Sequence, residues 1–221
     1  MTGSQTMLRR PEMRGASSSA FVLCAADSCD HGGCHSGPFL VVFISLDGEE
    51  RVASASVYSS ETSSWSSPAS LDLGFFEYEF SFATAPSVLA GDALCFLILR
   101  DSIIGILKYD LGNARLSEIH LSSAMSYPIA PILMVAEDGR LGLADLFDFN
   151  LSVWWRVVGP GEVVVWSQQR RVIDLKTHLP IGDPEVETEL VGSIEGTSII
   201  FTITDLGTYM IEGALDRAVS T

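Results

Sequence analysis

The stretch PSVLAGDALCFLILRDSIIGILKYDLGNARLSEIHL, residues 86–121, decides the fold of this protein. It consists of short apolar runs that are broken by Gly-Asp, by Asp-Ser and by a Gly112-Asn113 turn, and it ends in the more polar run RLSEIHL. Short apolar runs punctuated by turn residues are typical of β-strands joined by tight connections. The stretch therefore predicts an antiparallel sheet of about four strands.

The same order of strands and turns recurs along the chain. It returns in residues 131–166 and again from residue 189, and an earlier unit at residues 21–65 fits it more loosely. The starts lie roughly 45 to 60 residues apart, the period of four-stranded propeller blades with some longer loops. We therefore predict an all-β fold, a β-propeller of four-stranded antiparallel blades with about four blades and an incomplete ring. The alternative is a sandwich or barrel made of ordinary hairpins.

The two ends of the chain differ in pattern. Residues 1–19 are rich in Ser, Gly, Arg and Met and lack apolar periodicity, which predicts a disordered N-terminal arm. Residues 20–221 hold about fifteen short candidate strands and no convincing amphipathic helix. We expect this whole range to form one partial propeller domain. Its loose first unit and its last unit, which stops short of a final strand, predict an open arc with exposed apolar area near Phe43 and Phe201.

Composition and charge exclude several classes of protein. Hydrophobic residues make up 47% of the chain, which excludes a disordered protein, and 28 acidic side chains against 13 basic ones give a net charge of −15. A surface of that sign repels phosphate backbones, so we expect no nucleic-acid partner. No stretch is suited to cross a membrane, no secretory signal is visible, and four Cys do not form a disulfide framework. These features favour a cytoplasmic or nuclear location.

One cluster has the side-chain types of a zinc site but not its spacing. Thiols and imidazoles lie close together in residues 24–35. The pattern C-x4-C-x-H-x2-C-H, however, lacks the C-x2-C pairs of strong zinc motifs. We therefore predict no metal site and no cofactor. The cluster consists of Cys24, Asp27, Cys29, Asp30, His31, Cys34 and His35.

Other polar residues give no catalytic signature. Each falls at a strand end or in a turn, where Asp is favoured for its hydrogen bonds to the backbone, and no G-x-S-x-G nucleophile motif is present. The sequence therefore predicts a protein that is not an enzyme. The residues considered are His120, Glu137, Asp138, Asp145 and Asp148.

Aromatic side chains offer the best candidates for a binding surface. We expect Trp154, Trp155 and Trp166 to pack mainly between blades. Because neighbours on a strand point to opposite faces, one of Trp154 and Trp155 faces away from the other. That second Trp is the predicted exposed anchor for a protein partner, and the pattern does not say which of the two it is.

The chain resembles the propeller portion of the large F-box protein families of grasses and other plants. The resemblance covers nearly everything after residue 20. It is carried by FVLCAADSCDHGGCHSGPFLVVFISLDG (21–48), SASVYSSETSSWSSPASLDLG (54–74), PSVLAGDALCFLIL (86–99), ILKYDLGNARLSEI (106–119), ILMVAEDGRLGLA (132–144), RRVIDLKTHLPIGDP (170–184) and VGSIEGTSIIFTITDLGTYMIE (191–212).

The resemblance implies a kelch-like, non-enzymatic protein-interaction module, the substrate receptor of a cullin-RING ubiquitin ligase. Its target protein cannot be named from the sequence. The helical F-box that docks the adaptor is replaced here by an Arg- and Ser-rich arm, so we expect no binding to a Skp-type adaptor. Two alternatives stay open: a propeller enzyme or sugar-binding lectin, and a truncated duplicate without function.

Overall fold

The computed structural model of the protein describes residues 7–26, 37–74, 80–100, 103–121, 130–159, 164–168, 172–180, 182–183 and 188–212. Within these ranges the regular structure is β-strand, apart from a 3-10 turn at Leu175–Thr177. The predicted all-β class is confirmed. No helix in the described ranges is long and apolar enough to cross a lipid bilayer.

The chain forms two compact units, residues 1–82 and 83–221, where the sequence predicted a single domain from residue 20. The first unit contains a five-stranded antiparallel sheet in which β1 pairs with β2, β2 with β3, and β3 with both β4 and β5. The strands of this sheet are β1 (Ser17–Cys24), β2 (Phe39–Asp47), β3 (Val52–Ser59), β4 (Ser64–Trp65) and β5 (Ala69–Asp72), and the unit ends with β6 (Phe80–Phe82).

Strand β1 begins inside the segment predicted as a disordered arm. Half-buried and exposed side chains alternate along its first six residues, and the strand pairs with β2 from Ser17 opposite Leu46 onward. The preceding residues also contact the sheet, because Ser45 Oγ donates to the carbonyl of Arg14 (2.7 Å) and Trp65 Nε1 donates to the carbonyl of Arg9 (3.0 Å). The ordered sheet therefore extends further towards the N-terminus than the apolar pattern indicated.

The second unit contributes strands to three further antiparallel sheets, which we call the second, third and fourth sheets. Each follows the order of the chain, as the repeated sequence pattern predicts. The second holds β7 (Val88–Ala90), β8 (Ala93–Arg100), β9 (Ile103–Asp110) and β10 (Arg115–Ile119); the third holds β11 (Ile132–Val135), β12 (Leu141–Phe147), β13 (Asn150–Val158), β14 (Val164–Gln168) and β15 (Ile173–Asp174); the fourth holds β16 (Glu189–Ser193), β17 (Ile200–Thr204) and β18 (Gly207–Ile211).

The first strands of these three sheets, β7, β11 and β16, lie side by side. Backbone and side-chain hydrogen bonds join them: Gly196 N–H donates to the carbonyl of Val135 (3.0 Å), and Leu89 N–H donates to Glu195 Oε1 (3.1 Å). Converging first strands are the arrangement of successive propeller blades. The predicted blade-like organisation is thus present in the second unit.

Two apolar cores hold the three sheets together. Between the second and third sheets lie Leu97, Ile106 and Leu143, and between the third and fourth lie Met134 and Ile200, all of them buried. The inner strand β11 is buried at all four positions because it has a sheet on each side. Continuous rather than alternating apolar sequence, as in ILMV, follows from that double burial.

The fourth sheet exposes apolar side chains on its outer face, as the sequence predicted near Phe201. Ile203 and Met210 are 42% and 55% exposed, and Met210 lies opposite the half-buried Phe201 across β17 and β18. Phe43 differs. Its ring meets Trp65 edge-on at 6.3 Å, and the Arg10 guanidinium lies 5.1 Å from its centre, so it is half-buried.

Candidate functional site: a cationic cleft between the second and third sheets

Strand β13 places the two candidate tryptophans on opposite faces of the third sheet. Trp154 packs against the core shared with the second sheet, and Trp155 packs against the core shared with the fourth. The prediction that the pair points in opposite directions is confirmed. Both side chains are half-buried, so neither is the freely exposed anchor that the sequence suggested. A role for Trp154 or Trp155 in binding a protein stays a prediction.

Trp155 lies flat against its own sheet because the facing position on β12 is a glycine. Gly142 is the cross-strand partner of Trp155, and a Cβ built on Gly142 would lie 2.4 Å from Cζ3 of the indole. The guanidinium of Arg140 lies 5.8 Å from the ring centre and covers the indole from outside, while its Nε donates to Asp138 Oδ2 at 2.6 Å. This interface is filled up to its edge.

Trp166 on β14 closes the other interface at its outer end. Its ring packs against the core between the second and third sheets, and its Nε1 donates to the carbonyl of His120 at 3.0 Å, just after β10. The predicted packing of Trp166 between blades is confirmed. The bond also ties the outer strand of the third sheet to the outer strand of the second.

Between these sheets an open cleft of about 380 Å³ remains, within the second unit. The wall from the second sheet carries the small side chains Ala90, Ala93 and Cys95, and the opposite wall comes from β13 and from the turn before β12. Small residues on the wall from the second sheet leave space between the two sheets.

Three cationic side chains, Lys108, Arg140 and Arg156, line the cleft in a protein of net charge −15. Lys108 lies directly opposite Cys95 on β8 and β9, and Arg156 comes from β13 on the facing wall. Lys108 Nζ has a distant carboxylate neighbour, Asp110 Oδ2 at 3.8 Å. No ion pair joins Arg156 to any other residue that the structure describes. Arg140 also lines the cleft, but its guanidinium is engaged by Asp138 and Trp155.

Cys95 forms part of the floor as a neutral thiol. Its side chain is 2% exposed, and burial raises the pKa of the thiol from 9.0 to about 11, while Lys108 and Arg156 act in the opposite direction. The thiolate is the nucleophilic form of cysteine. At neutral pH Cys95 is therefore an apolar floor residue rather than a nucleophile.

The rim of the cleft is apolar. Val158 and Val164, which face each other at the end of the β13–β14 hairpin, line the cleft and are 72% and 45% exposed. Exposed valines beside buried small residues form a surface that gains from being covered. Cationic groups inside and apolar groups at the rim suit an occupant that carries both carboxylates and apolar side chains.

The polar residues considered from the sequence lie at strand ends or in turns, as expected, except Asp145, which lies within β12 opposite Ser152. Asp138 pairs with Arg140. Asp148, in the tight β12–β13 turn, pairs with Lys176 (3.2 Å), and His120 Nδ1 lies 3.4 Å from Glu118 Oε1. Hydrogen bonding to the Arg140 backbone and side chain, together with its charge, outweighs desolvation, the largest single influence, and lowers the pKa of Asp138. These contacts are those of turn stabilisation.

The cysteine and histidine cluster is described only at its first member. Cys24 is half-buried at the end of β1, and its Sγ accepts from Ala26 N–H at 3.4 Å. The other members, residues 27 to 35, lie outside the described residues. Among the residues that are described, no three metal-binding side chains come together.

Comparison with known proteins gives structural likenesses but no sequence match. No protein-family profile matches the chain, and no curated protein matches it in sequence. Among solved structures it is similar to an α-L-arabinofuranosidase from Fusarium graminearum that was determined with an iminosugar inhibitor, at 14% identity and a TM-score of 0.32. The match covers 89% of this chain and 64% of that enzyme, so the chain spans less than two thirds of its length.

Sequence reasoning missed two cations of the cleft, Lys108 and Arg156. Lys108 interrupts the apolar run GILKYD and is one of two lysines in the chain, and Arg156 follows the tryptophan pair. Each is a charged residue within a mostly apolar strand, and this placement is the sequence signal that could have identified both of them. Their proximity depends on the packing of two sheets, which a reading of single strands does not contain.

Proposed function

We propose that this chain is a non-enzymatic protein-interaction module and that the cleft between the second and third sheets is its docking site. The observation that carries the proposal is the pair of cations, Lys108 and Arg156, in an open cleft whose rim is made of exposed valines. Interfaces combine such an apolar contact area with a few charged groups that select the partner. The resemblance to F-box propellers favours a target protein of a ubiquitin ligase as that partner.

The chemistry of the cleft supports binding rather than catalysis. A catalytic cysteine needs a lowered pKa, whereas burial holds the Cys95 thiol protonated at neutral pH. Among the carboxylates considered from the sequence, Asp138 and Asp148 lie in different turns, and each has a cation of its own. Glycoside hydrolysis, by contrast, needs two carboxylates facing one bond.

Proximity labelling in cells that express the chain tests the docking site. We expect a set of labelled proteins that depends on the rim, so Val158→Asp reduces their labelling at least tenfold. Leu206→Asp is the matched control, because Leu206 is 57% exposed in a turn of the fourth sheet and does not line the cleft. Equal labelling by both variants would place the docking site elsewhere, and no enriched protein at all would contradict an interaction module.

A further inference from the structure

We propose that the occupant of the cleft is an extended, acidic segment of a partner protein that carries carboxylates and apolar side chains on the same face. The inference rests on the proposed function and specifies the chemistry of the partner. Three features of the cleft support it: its charge, its apolar rim and floor, and the strand beside it.

Charge is the first feature. The chain has 28 acidic residues, yet the described cleft lining contains Lys108, Arg140 and Arg156 and no carboxylate. Arg140 is held by Asp138, and Lys108 has its nearest carboxylate at 3.8 Å. The guanidinium of Arg156 presents donors in a planar fork that matches a carboxylate. The cleft therefore favours an anion over the acidic surface around it.

The apolar surfaces are the second feature. A small inorganic anion would leave Val158 and Val164 exposed and would meet a floor of Ala93 and the neutral Cys95. A segment with apolar side chains between its carboxylates covers the rim and reaches the cations at the same time. In an extended segment every second side chain points to the same face, so a carboxylate and an apolar side chain two positions apart meet the cations and the rim together.

The neighbouring strand is the third feature. β14 lies at the edge of the third sheet, and among the described residues it pairs with β13 alone. Trp166 fixes this strand to the second sheet through its bond to the His120 carbonyl, so the edge is held in place beside the cleft. An edge strand binds an extended peptide through its free backbone groups, while pockets nearby select alternate side chains.

The inference is tested by fluorescence anisotropy, in which labelled, end-blocked peptides are titrated with the full-length protein. The probe, called the Glu-Val peptide, is a short repeat of Glu-Ser-Val-Ser, which places Glu and Val on one face of an extended chain. Its neutral counterpart, the Gln-Val peptide, replaces every Glu with Gln. We expect the Glu-Val peptide to bind and the Gln-Val peptide to bind at least tenfold more weakly. Binding of the Glu-Val peptide should also weaken as salt is raised, because its charges are partly screened.

Charge-neutralising variants separate the cleft from general electrostatics. Arg156→Gln and Lys108→Gln should each weaken the Glu-Val peptide by roughly tenfold. Arg140→Gln removes the same charge at the same cleft, but from a guanidinium already engaged by Asp138 and Trp155, so we expect less than a twofold change. Thermal melting confirms that each variant is folded, and Lys108→Gln serves if Arg156→Gln is not.

Three results would overturn the inference. These are equal binding of both peptides, equal effects of all three variants, and full competition by N-acetylglutamate at the peptide's own concentration, which would indicate a small-molecule site. Absence of Glu-Val binding, with partner labelling still lost in Val158→Asp, would refute the acidic occupant and leave the interaction module standing. Absence of Glu-Val binding together with unchanged labelling in Val158→Asp would refute the proposed function as well.

Discussion

The two faces of strand β13 contribute to two interfaces between sheets, and side chains fill these interfaces to very different extents. Towards the fourth sheet, Trp155 lies on Gly142 and is covered by Arg140, so the interface is packed to its edge. Towards the second sheet, Trp154 and Trp166 pack against the core, yet a cleft of about 380 Å³ stays open beside them. One strand therefore contributes both a sealed interface and an open one.

The difference follows the side chains at each interface. Within the third sheet, a glycine leaves room for an indole to lie on the neighbouring strand. At the cleft, the small side chains Ala90, Ala93 and Cys95 of the second sheet face the half-buried Arg156 and the exposed Val158 of the third, and space remains between them. That space beside charged groups is the basis of the proposed docking site.

The largest expected effect comes from breaking the sealed interface with Gly142→Val. The new side chain would occupy the position of the Trp155 ring, so we expect a loss of more than about 3 kcal/mol in the free energy of unfolding. Urea denaturation measures it. The control is the same substitution in a Trp155→Ala background, where the added cost should fall to below about 1 kcal/mol. An equal cost in both backgrounds would mean that the indole is not what Gly142 accommodates.

Trp154→Ala should have the next largest effect. Trp154 packs on the core between the second and third sheets, and its removal leaves a cavity there, so we expect a loss of about 2 to 3 kcal/mol for this half-buried side chain. Urea denaturation with Trp154→Phe as the conservative variant measures it. A loss below about 0.5 kcal/mol would show that Trp154 contributes little to the core, as expected if Trp154 is the one of the two tryptophans that serves as a surface anchor.

Alkaline pH should weaken the wall that carries Cys95. The pKa of the Cys95 thiol is about 11 in the folded state against an ordinary 9.0, so the folded state binds the proton more tightly and stability falls as pH rises from 9 to 11. The expected loss over that window is about 2 kcal/mol. Burial also raises the pKa of Tyr109, which adds to the loss.

Comparison with Cys95→Ala isolates the contribution of the thiol. We expect the variant to lose about 2 kcal/mol less than the wild type between pH 9 and 11, whatever its stability at pH 7. Chemical denaturation at a series of pH values gives both curves. Parallel curves would mean that the Cys95 thiol ionises in the folded protein as readily as in the unfolded chain.

The smallest effect on stability should come from the rim, with Val158→Ser. At 72% exposure this side chain contributes little to folding, so we expect a change of less than about 0.5 kcal/mol. Binding of the Glu-Val peptide should nevertheless weaken several-fold, because the rim loses apolar contact area. Val172→Ser is the matched control, since Val172 is 45% exposed and does not line the cleft. A large loss of stability in Val158→Ser would make the rim a structural element.

Much of the fold could be predicted because its signals are local. Apolar runs broken by turn residues placed the strands around residues 88–119 and 132–166, and their repetition indicated four successive sheets. The start of β1 was missed because its first residues, Ser17 to Ser19, are polar and owe their strand structure to pairing with β2. Polar residues in an edge strand carry no apolar periodicity to detect.

The sequence by itself determined the all-β class, the repeat of antiparallel sheets and the opposite orientation of Trp154 and Trp155, because strand formation and side-chain alternation follow from neighbours in the chain. Only the tertiary structure decided which sheet each tryptophan faces and that Lys108 and Arg156 meet across a cleft floored by Cys95. Those outcomes depend on how separate sheets pack and on which small residues leave space between them, and packing joins residues that are far apart in the chain.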